Sequence, residues 1–241
     1  MKNYQEEIEK RVKFIQDLLK ESGASGIVFG NSGGKDCALV GILCKLACEN
    51  TLGVMMPCES TRNFGEDLED GKALSKSFGI ENRLVDLTES KKAIVSASKG
   101  VSQLSPTAIS NIPPRLRMTT LYLIGQSENR LVAGTGNASE RYMGYFTKWG
   151  DGAYDFNPIS DLTATEIYPL LRYLKAPENI IEKAPSAGLF EGQTDEAEMG
   201  VSYEAIDKYI KTGEGLEKDV EIIKRYHSRT EHKRKAALNY K

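Results

Sequence analysis

The sequence predicts an α/β fold, a parallel sheet with helices on both faces. Short apolar runs, Gly26-Ile27-Val28-Phe29, Leu52-Gly53-Val54-Met55-Met56, Asn82-Arg83-Leu84-Val85-Asp86-Leu87 and Arg130-Leu131-Val132-Ala133-Gly134, alternate with helix-period segments of about 10–15 residues. The shortest runs are almost wholly apolar, as buried strands of a parallel sheet are. Polar stretches at Asn31 to Asp36, Pro57 to Thr61 and Thr135 to Glu140 follow the run ends, where such sheets gather ligands.

Each element has its own signal. Ile8, Val12, Ile15, Leu18 and Leu19 give Tyr4 to Lys20 a helical period that ends near Gly23. The first strand leads through a glycine loop into a helix from about Asp36 to Cys48, and Pro57 stops the second strand. A helix across Asp67 to Phe78 precedes the third strand. Ser96 to Pro114 is polar and proline-bearing and is expected to be a mobile loop between helices. A helix from about Arg115 to Ser127 then leads to the fourth strand. Gly150 to Asp161 is turn-rich. Helices follow around Thr163 to Leu174, Pro177 to Lys183, Glu196 to Gly200 and Tyr203 to Thr212, with a last charged one from Leu216 to Arg234. With no internal repeat and no linker-like segment, residues 1–241 are expected to form one Rossmann-like three-layer domain with a helical C-terminal extension from about 195 to 241.

Composition excludes several classes. Thirty-two basic side chains against 34 acidic ones give a formal charge of −2, so no general nucleic-acid or membrane surface is implied. No stretch approaches the roughly 18 apolar residues that span a bilayer, and a cytoplasmic location is the expectation. Cysteines at 37, 44, 48 and 58 crowd one region; buried helix-lining thiols are a better reading than a soft-metal site or a disulfide framework. His227 and His232 lie far from any acid or cysteine cluster with zinc-ligand spacing, and no Ser-His-Asp set is readable.

Chemistry concentrates in Phe29-Gly30-Asn31-Ser32-Gly33-Gly34-Lys35-Asp36. Backbone amides freed by a glycine turn and a helix start make an anion pocket. Ser32 adds a hydroxyl, Lys35 a charge and Asp36 a hard oxygen suited to Mg²⁺. The spacing differs from the common nucleotide loop: three residues separate Gly30 from Gly34, and Asp36 follows the lysine. Glu140 also follows a strand end, so the fold can bring it to Asp36. Gly134-Thr135-Gly136-Asn137 admits two readings, a capped helix start or a second wall of the nucleotide pocket. Thr147 to Asp155 reads equally as a ring-binding loop or a surface turn. Arg115, Arg117 and Lys148 are candidate phosphate counterions, but Arg115 and Arg117 do not face the same way on one helix.

Ser32-Gly33-Gly34-Lys35-Asp36-Cys37 resembles the Ser-Gly-Gly-x-Asp-Ser pyrophosphate loop of ATP pyrophosphatases. The chain as a whole resembles the ammonia-dependent NAD synthetase family. The blocks that carry this are Met56-Pro57, Arg115-Leu116-Arg117-Met118, Gly134-Thr135-Gly136-Asn137 with Glu140, Gly144 to Lys148 with Gly150-Asp151-Gly152, Pro185 to Leu189, Gln193 to Glu196, and His232-Lys233-Arg234. The resemblance implies deamido-NAD, MgATP and ammonia as substrates. It implies that Gly30, Ser32, Gly33, Gly34 and Cys37 cradle phosphates, and that Asp36 and Glu140 hold Mg²⁺ beside Lys35. Thr135, Arg115, Arg117, Lys148, Asp151, Asp155, Ser186, His232 and Lys233 would contact the nucleotides. A homodimer is implied, with free ammonia or a separate ammonia-supplying protein; Ser96 to Pro114 and Phe190 to Asp195 are the expected lids. Rival readings are another adenylating ATP pyrophosphatase and a weakly catalytic nucleotide-binding dimer. Two positions depart from the family pattern. Cys37 replaces the motif's last serine, and Ala164 stands where a phosphate-binding lysine is usual, so Ala164→Lys is expected to strengthen ATP use unless another cation compensates.

Overall fold

The computed structural model describes residues 3–183, 194–237, 239 and 240. In chain order they form α1 (Tyr4–Ser22), β1 (Gly26–Gly30), α2 (Lys35–Ala47), β2 (Thr51–Met55), α3 (Thr61–Phe64), α4 (Glu66–Phe78), β3 (Glu81–Leu84), α5 (Thr88–Ser98), α6 (Pro106–Ser110), α7 (Ile112–Glu128), β4 (Arg130–Ala133), α8 (Ala138–Met143), α9 (Ala164–Tyr173), α10 (Glu178–Glu182), α11 (Asp195–Met199), α12 (Tyr203–Thr212), α13 (Glu217–Arg229) and α14 (Glu231–Arg234).

The four strands are all parallel, in the order β3-β2-β1-β4, with Val28 opposite Leu52 on one side and Val132 on the other. Strand order reverses at β1, so the crevice between β1 and β4 opens at the sheet's carboxyl edge. The period of two sorts β1 between two cores. Ile27 and Phe29 join Leu39, Ile42 and Leu43 of α2, Ile15 of α1 and Ile167 of α9 on one face. Val28 joins Leu52, Val54, Val132 and Leu121 of α7 on the other. This is the three-layer arrangement expected from the sequence. A third apolar cluster, Met143, Ala164, Met199, Tyr203, Ile206 and Ile223, ties the C-terminal helices to α8 and α9.

Two segments differ from expectation. The proposed loop from Ser96 to Pro114 contains the end of α5, all of α6 and the start of α7. Pro113 and Pro114 sit in the first turn of α7, where their missing N–H groups break no helical hydrogen bond. α5 buries none of its residues and so carries little apolar period. The last helix breaks at Thr230, whose hydroxyl donates to carbonyl oxygens of Tyr226 (2.7 Å) and Met143 (3.1 Å). Its side chain fills the space beside Gly144, where a Cβ would lie 2.2 Å from Thr230.

Candidate active site

The glycine loop is shaped by the residue before it. Asn31, buried at the end of β1, donates Nδ2 to the Gly71 carbonyl of α4 at 2.9 Å, and its Oδ1 accepts from the Gly33 amide at 3.4 Å. Gly33 has φ +71°, and a Cβ there would lie 2.4 Å from the Asp67 carbonyl oxygen, so both conformation and space require glycine. Ser32 Oγ accepts from the Gly34 amide (3.3 Å) and donates to Cys37 Sγ (3.0 Å). Burial pushes the Cys37 thiol up despite these contacts, which removes it as a thiolate nucleophile.

Lys35 turns inward. Its side chain is 5% exposed, and Nζ pairs with Asp36 Oδ2 while standing 5.9 Å from the Tyr168 ring centroid and 5.8 Å from that of Tyr203. Burial opposes its charge, but Asp36 and Glu140 outweigh burial and raise the ammonium above its ordinary pKa. Asp36 Oδ1 accepts from Asn137 Nδ2 at 3.1 Å. Asn137 in turn caps α8: its Oδ1 accepts from the Glu140 amide (2.9 Å), and Glu140 Oε2 accepts from the Asn137 amide (3.0 Å). The turn caps α8, and Gly134, Thr135, Gly136 and Glu140 line the cavity. Burial first and the Asp36 carboxylate second raise Glu140 well above the carboxylate range, with Lys35 opposing.

These groups face a cavity of ≈ 520 Å³ at the carboxyl ends of the strands. Of the residues expected at the site, Gly30, Ser32, Gly34, Lys35, Asp36, Cys37, Arg117, Thr135, Glu140, Asp151 and Lys233 line it. Arg117 is held by the Met56 carbonyl (3.0 Å) and Asn63 Oδ1 (3.1 Å), and burial lowers its pKa. Lys233 Nζ donates to the Gly144 and Phe146 carbonyls at 2.8 and 2.6 Å. Burial lowers its pKa too, with Asp151 opposing.

Others lie elsewhere. Gly33 serves the loop's shape by packing on α4. Arg115 is exposed and meets the Lys148 carbonyl (3.4 Å), so of the two arginines only Arg117 faces the cavity. Lys148 Nζ donates to the carbonyl of exposed His232 (2.8 Å). Asp155 accepts from the Val132 amide (2.8 Å) and the Tyr122 hydroxyl (3.1 Å), which makes it a brace on β4. Ser186 lies outside the described residues. Sequence reasoning gave no site role to Asn63, Asp67, Lys183 or Glu198, all of which line the cavity, as does Asp195, the end of an expected lid whose residues 190–193 lie outside the described residues. Asp195 is buried and accepts from the Tyr203 hydroxyl at 3.1 Å. No periodicity marks such residues; Lys183 and Asn63, for example, find partners 116 and 54 residues away.

Among the described residues no helix is long and apolar enough to cross a membrane, and no three His, Cys, Asp or Glu side chains converge as a metal cluster.

The chain matches the family model for NAD synthase over residues 7–238. It is 47% identical to the NH(3)-dependent NAD(+) synthetase of Carboxydothermus hydrogenoformans, across 97% of this chain and 96% of that one. Among solved structures, the NMN synthetase of Francisella tularensis superposes with a TM-score of 0.94 at 37% identity, covering 100% of this chain and 99% of that one. The NH3-dependent NAD synthetase of Campylobacter jejuni superposes at 0.82 with 32% identity, covering all of both chains. Its sheet order, its glycine loop and these likenesses along nearly its whole length agree: the chain belongs to the NAD synthase family.

Proposed function

We propose that this chain converts deamido-NAD to NAD with ammonia, activating the nicotinate carboxylate as an adenylate and releasing AMP and pyrophosphate. The observation that carries this reading is one chamber in which the glycine loop, the Lys35–Asp36 pair and the Asn137–Glu140 cap meet. A carboxylate is a poor acyl donor, and adenylation gives it AMP as leaving group. The loop at Ser32 and Gly34 and the start of α2, which line the cavity, receive triphosphate oxygens. Lys35, raised in pKa, holds a full charge where pyrophosphate departs. No covalent enzyme intermediate is needed, in keeping with the protonated Cys37 thiol.

Asp36 and Glu140 fit a magnesium ion: they are hard oxygen donors, and a divalent cation relieves the repulsion from Asp36 that, after burial, raises Glu140. Two carboxylates leave further coordination positions to phosphate and water. When bound, the ion supplies charge neutralisation on the triphosphate. Arg117 and Lys233 offer charge to the second nucleotide at the other walls.

Purified protein incubated with Mg²⁺, ATP, deamido-NAD and ammonium should form NAD, AMP and pyrophosphate in equal amounts. Binding without turnover would favour a nucleotide-binding dimer, and AMP formed only with another acid would favour a different adenylating enzyme. The closer superposition on the Francisella NMN synthetase than on the Campylobacter NAD synthetase favours one second reading, amidation of nicotinate mononucleotide. The ratio of kcat/KM for the mononucleotide and the dinucleotide decides between them.

A homodimer completes the proposal. Leu123 of α7, Ile94 of α5 and Leu84 of β3 are 66%, 43% and 54% exposed, apolar surface that a second copy would cover. A single mass near twice 26.6 kDa in light scattering supports it. We place the protein in the cytoplasm, as one domain whose helices from about 195 onward close the cavity, with ammonia free or supplied by a separate protein.

A further inference from the structure

One wall of the cavity is a continuous chain of polar contacts with no part in the scheme above. Lys183, directly after α10, places Nζ 2.7 Å from Asp67 Oδ1 and 2.6 Å from Asp70 Oδ2, with the three side chains 8%, 15% and 7% exposed. Asn179 Nδ2 donates to Asp70 Oδ1 at 2.5 Å, and Asn63 Nδ2 donates to Asp67 Oδ2 at 2.8 Å. Asn63 is itself held by Arg117. Every carboxylate oxygen of Asp67 and Asp70 is therefore engaged. The cluster also touches the glycine loop. A Cβ on Gly33 would lie 2.4 Å from the Asp67 carbonyl oxygen and 2.8 Å from Asp70 Cβ, so this turn of α4 is the surface on which the loop rests.

Asp67 lines the same cavity as Gly34 and Asp36. A carboxylate there, left unpaired, would repel a triphosphate, and two carboxylates three residues apart on one helix face, half-buried Asp67 and buried Asp70, would repel each other. Lys183 supplies a positive charge to both. We propose that Lys183 is a positioning residue for ATP: it cancels the Asp67 charge beside the phosphates and holds α4 against Gly33, so that the loop keeps its shape. The proposal rests on the assignment of the glycine loop to ATP phosphates.

The test is steady-state kinetics of Lys183→Met, Lys183→Arg and Lys183→Met/Asp67→Asn, with thermal melting as the check on folding. Lys183→Met should raise KM for ATP roughly tenfold, the scale of one uncompensated charge interaction, and leave KM for deamido-NAD within about twofold. Lys183→Arg should stay near the parent. The double variant, which removes the uncompensated charge, should recover most of the ATP affinity, a result that loss of packing alone would not give. Equal rises in both KM values, or no recovery in the double variant, would overturn the proposal. If Lys183→Met does not fold, Lys183→Gln, which keeps a donor to the carboxylates, is read by the same criteria. Gly33→Ala separates the two levels of the argument. If it leaves KM for ATP unchanged, the loop assignment falls; if it raises that KM while Lys183→Met does not, only the role of Lys183 falls.

Discussion

Ala164→Lys is the sharpest test of how this site is charged. Ala164 is 1% exposed at the first position of α9, packed with Met143, Tyr203 and Ile206. Tyr168 lies four residues on, on the same helix face. Lys35 Nζ already stands 5.9 Å from the Tyr168 ring and 5.8 Å from that of Tyr203. Ala164 shares its apolar cluster with Tyr203, so a lysine at 164 is expected to bring a second ammonium toward the first. At a separation of about 6 Å and an effective dielectric near 20, two unit charges repel by about 3 kcal/mol, roughly a hundredfold in an equilibrium constant. Ala164→Met carries a comparable volume without the charge and absorbs the overpacking cost of about 1–3 kcal/mol. Ala164→Lys should therefore melt below Ala164→Met and use ATP less well than the parent, the reverse of what holds if no cation compensates at this site. In a Lys35→Met background the same lysine should restore part of the lost kcat/KM for ATP. Urea unfolding and initial rates on the four variants give both numbers. If Ala164→Lys is as stable as Ala164→Met and improves ATP use in the parent, Lys35 does not fill the chamber as argued.

Asp36→Ala should abolish deamido-NAD-dependent exchange of pyrophosphate into ATP while the protein stays folded by circular dichroism, since it removes a charge and little core; retained exchange would count against Asp36 as a site residue. Asn137→Ala removes the α8 cap and the contact to Asp36 together. It should cost about 1 kcal/mol of stability and a larger factor in kcat; a change confined to stability would reduce Asn137 to a cap. At pH 8 iodoacetamide should label Cys48, which is half-buried, before Cys37, whose burial raises its pKa; mass spectrometry of early peptides reads the order. Hydrogen bonds from Arg11 hold Asp161 below the ordinary carboxylate range, with burial opposing. Because the folded pKa is the lower one, this contribution is present above the unfolded value of about 3.9 and is lost as pH falls through the folded value. Asp161→Asn should lower Tm at pH 7, and the difference from the parent should shrink as pH falls below the unfolded value.

What the sequence made legible follows from locality. The strands and the glycine loop are written in consecutive residues, and the strands stand where periodicity put them to within about one residue, except that β3 ends at Leu84, three residues before Leu87. Thr135 and Glu140 could be paired with the loop because both follow strand ends, which a parallel sheet brings to one edge. Asp155 reads as a ligand because it is a carboxylate near a glycine turn, and in the fold it also completes hydrogen bonds along β4, which no local pattern announces. Lys183 was invisible for the opposite reason. Its partners are more than a hundred residues away, and nothing in Ile180-Ile181-Glu182-Lys183 distinguishes a buried ion pair from a solvated helix end. α5 escaped because a helix that buries nothing leaves no apolar stripe.

The contact of Thr230 with Gly144 and the bonds from Lys233 to Gly144 and Phe146 bear on when the cavity exists at all. The glycine loop leaves the ribosome early, but the wall that Tyr226, Thr230 and Lys233 complete is translated after every strand. A growing chain can thus form its sheet while its nucleotide chamber is still open on one side. Nucleotide binding therefore stabilises the finished protein by mass action and offers little to the nascent one. Any version of the chain that stops short of Lys233 should keep its strands and lose that stabilisation.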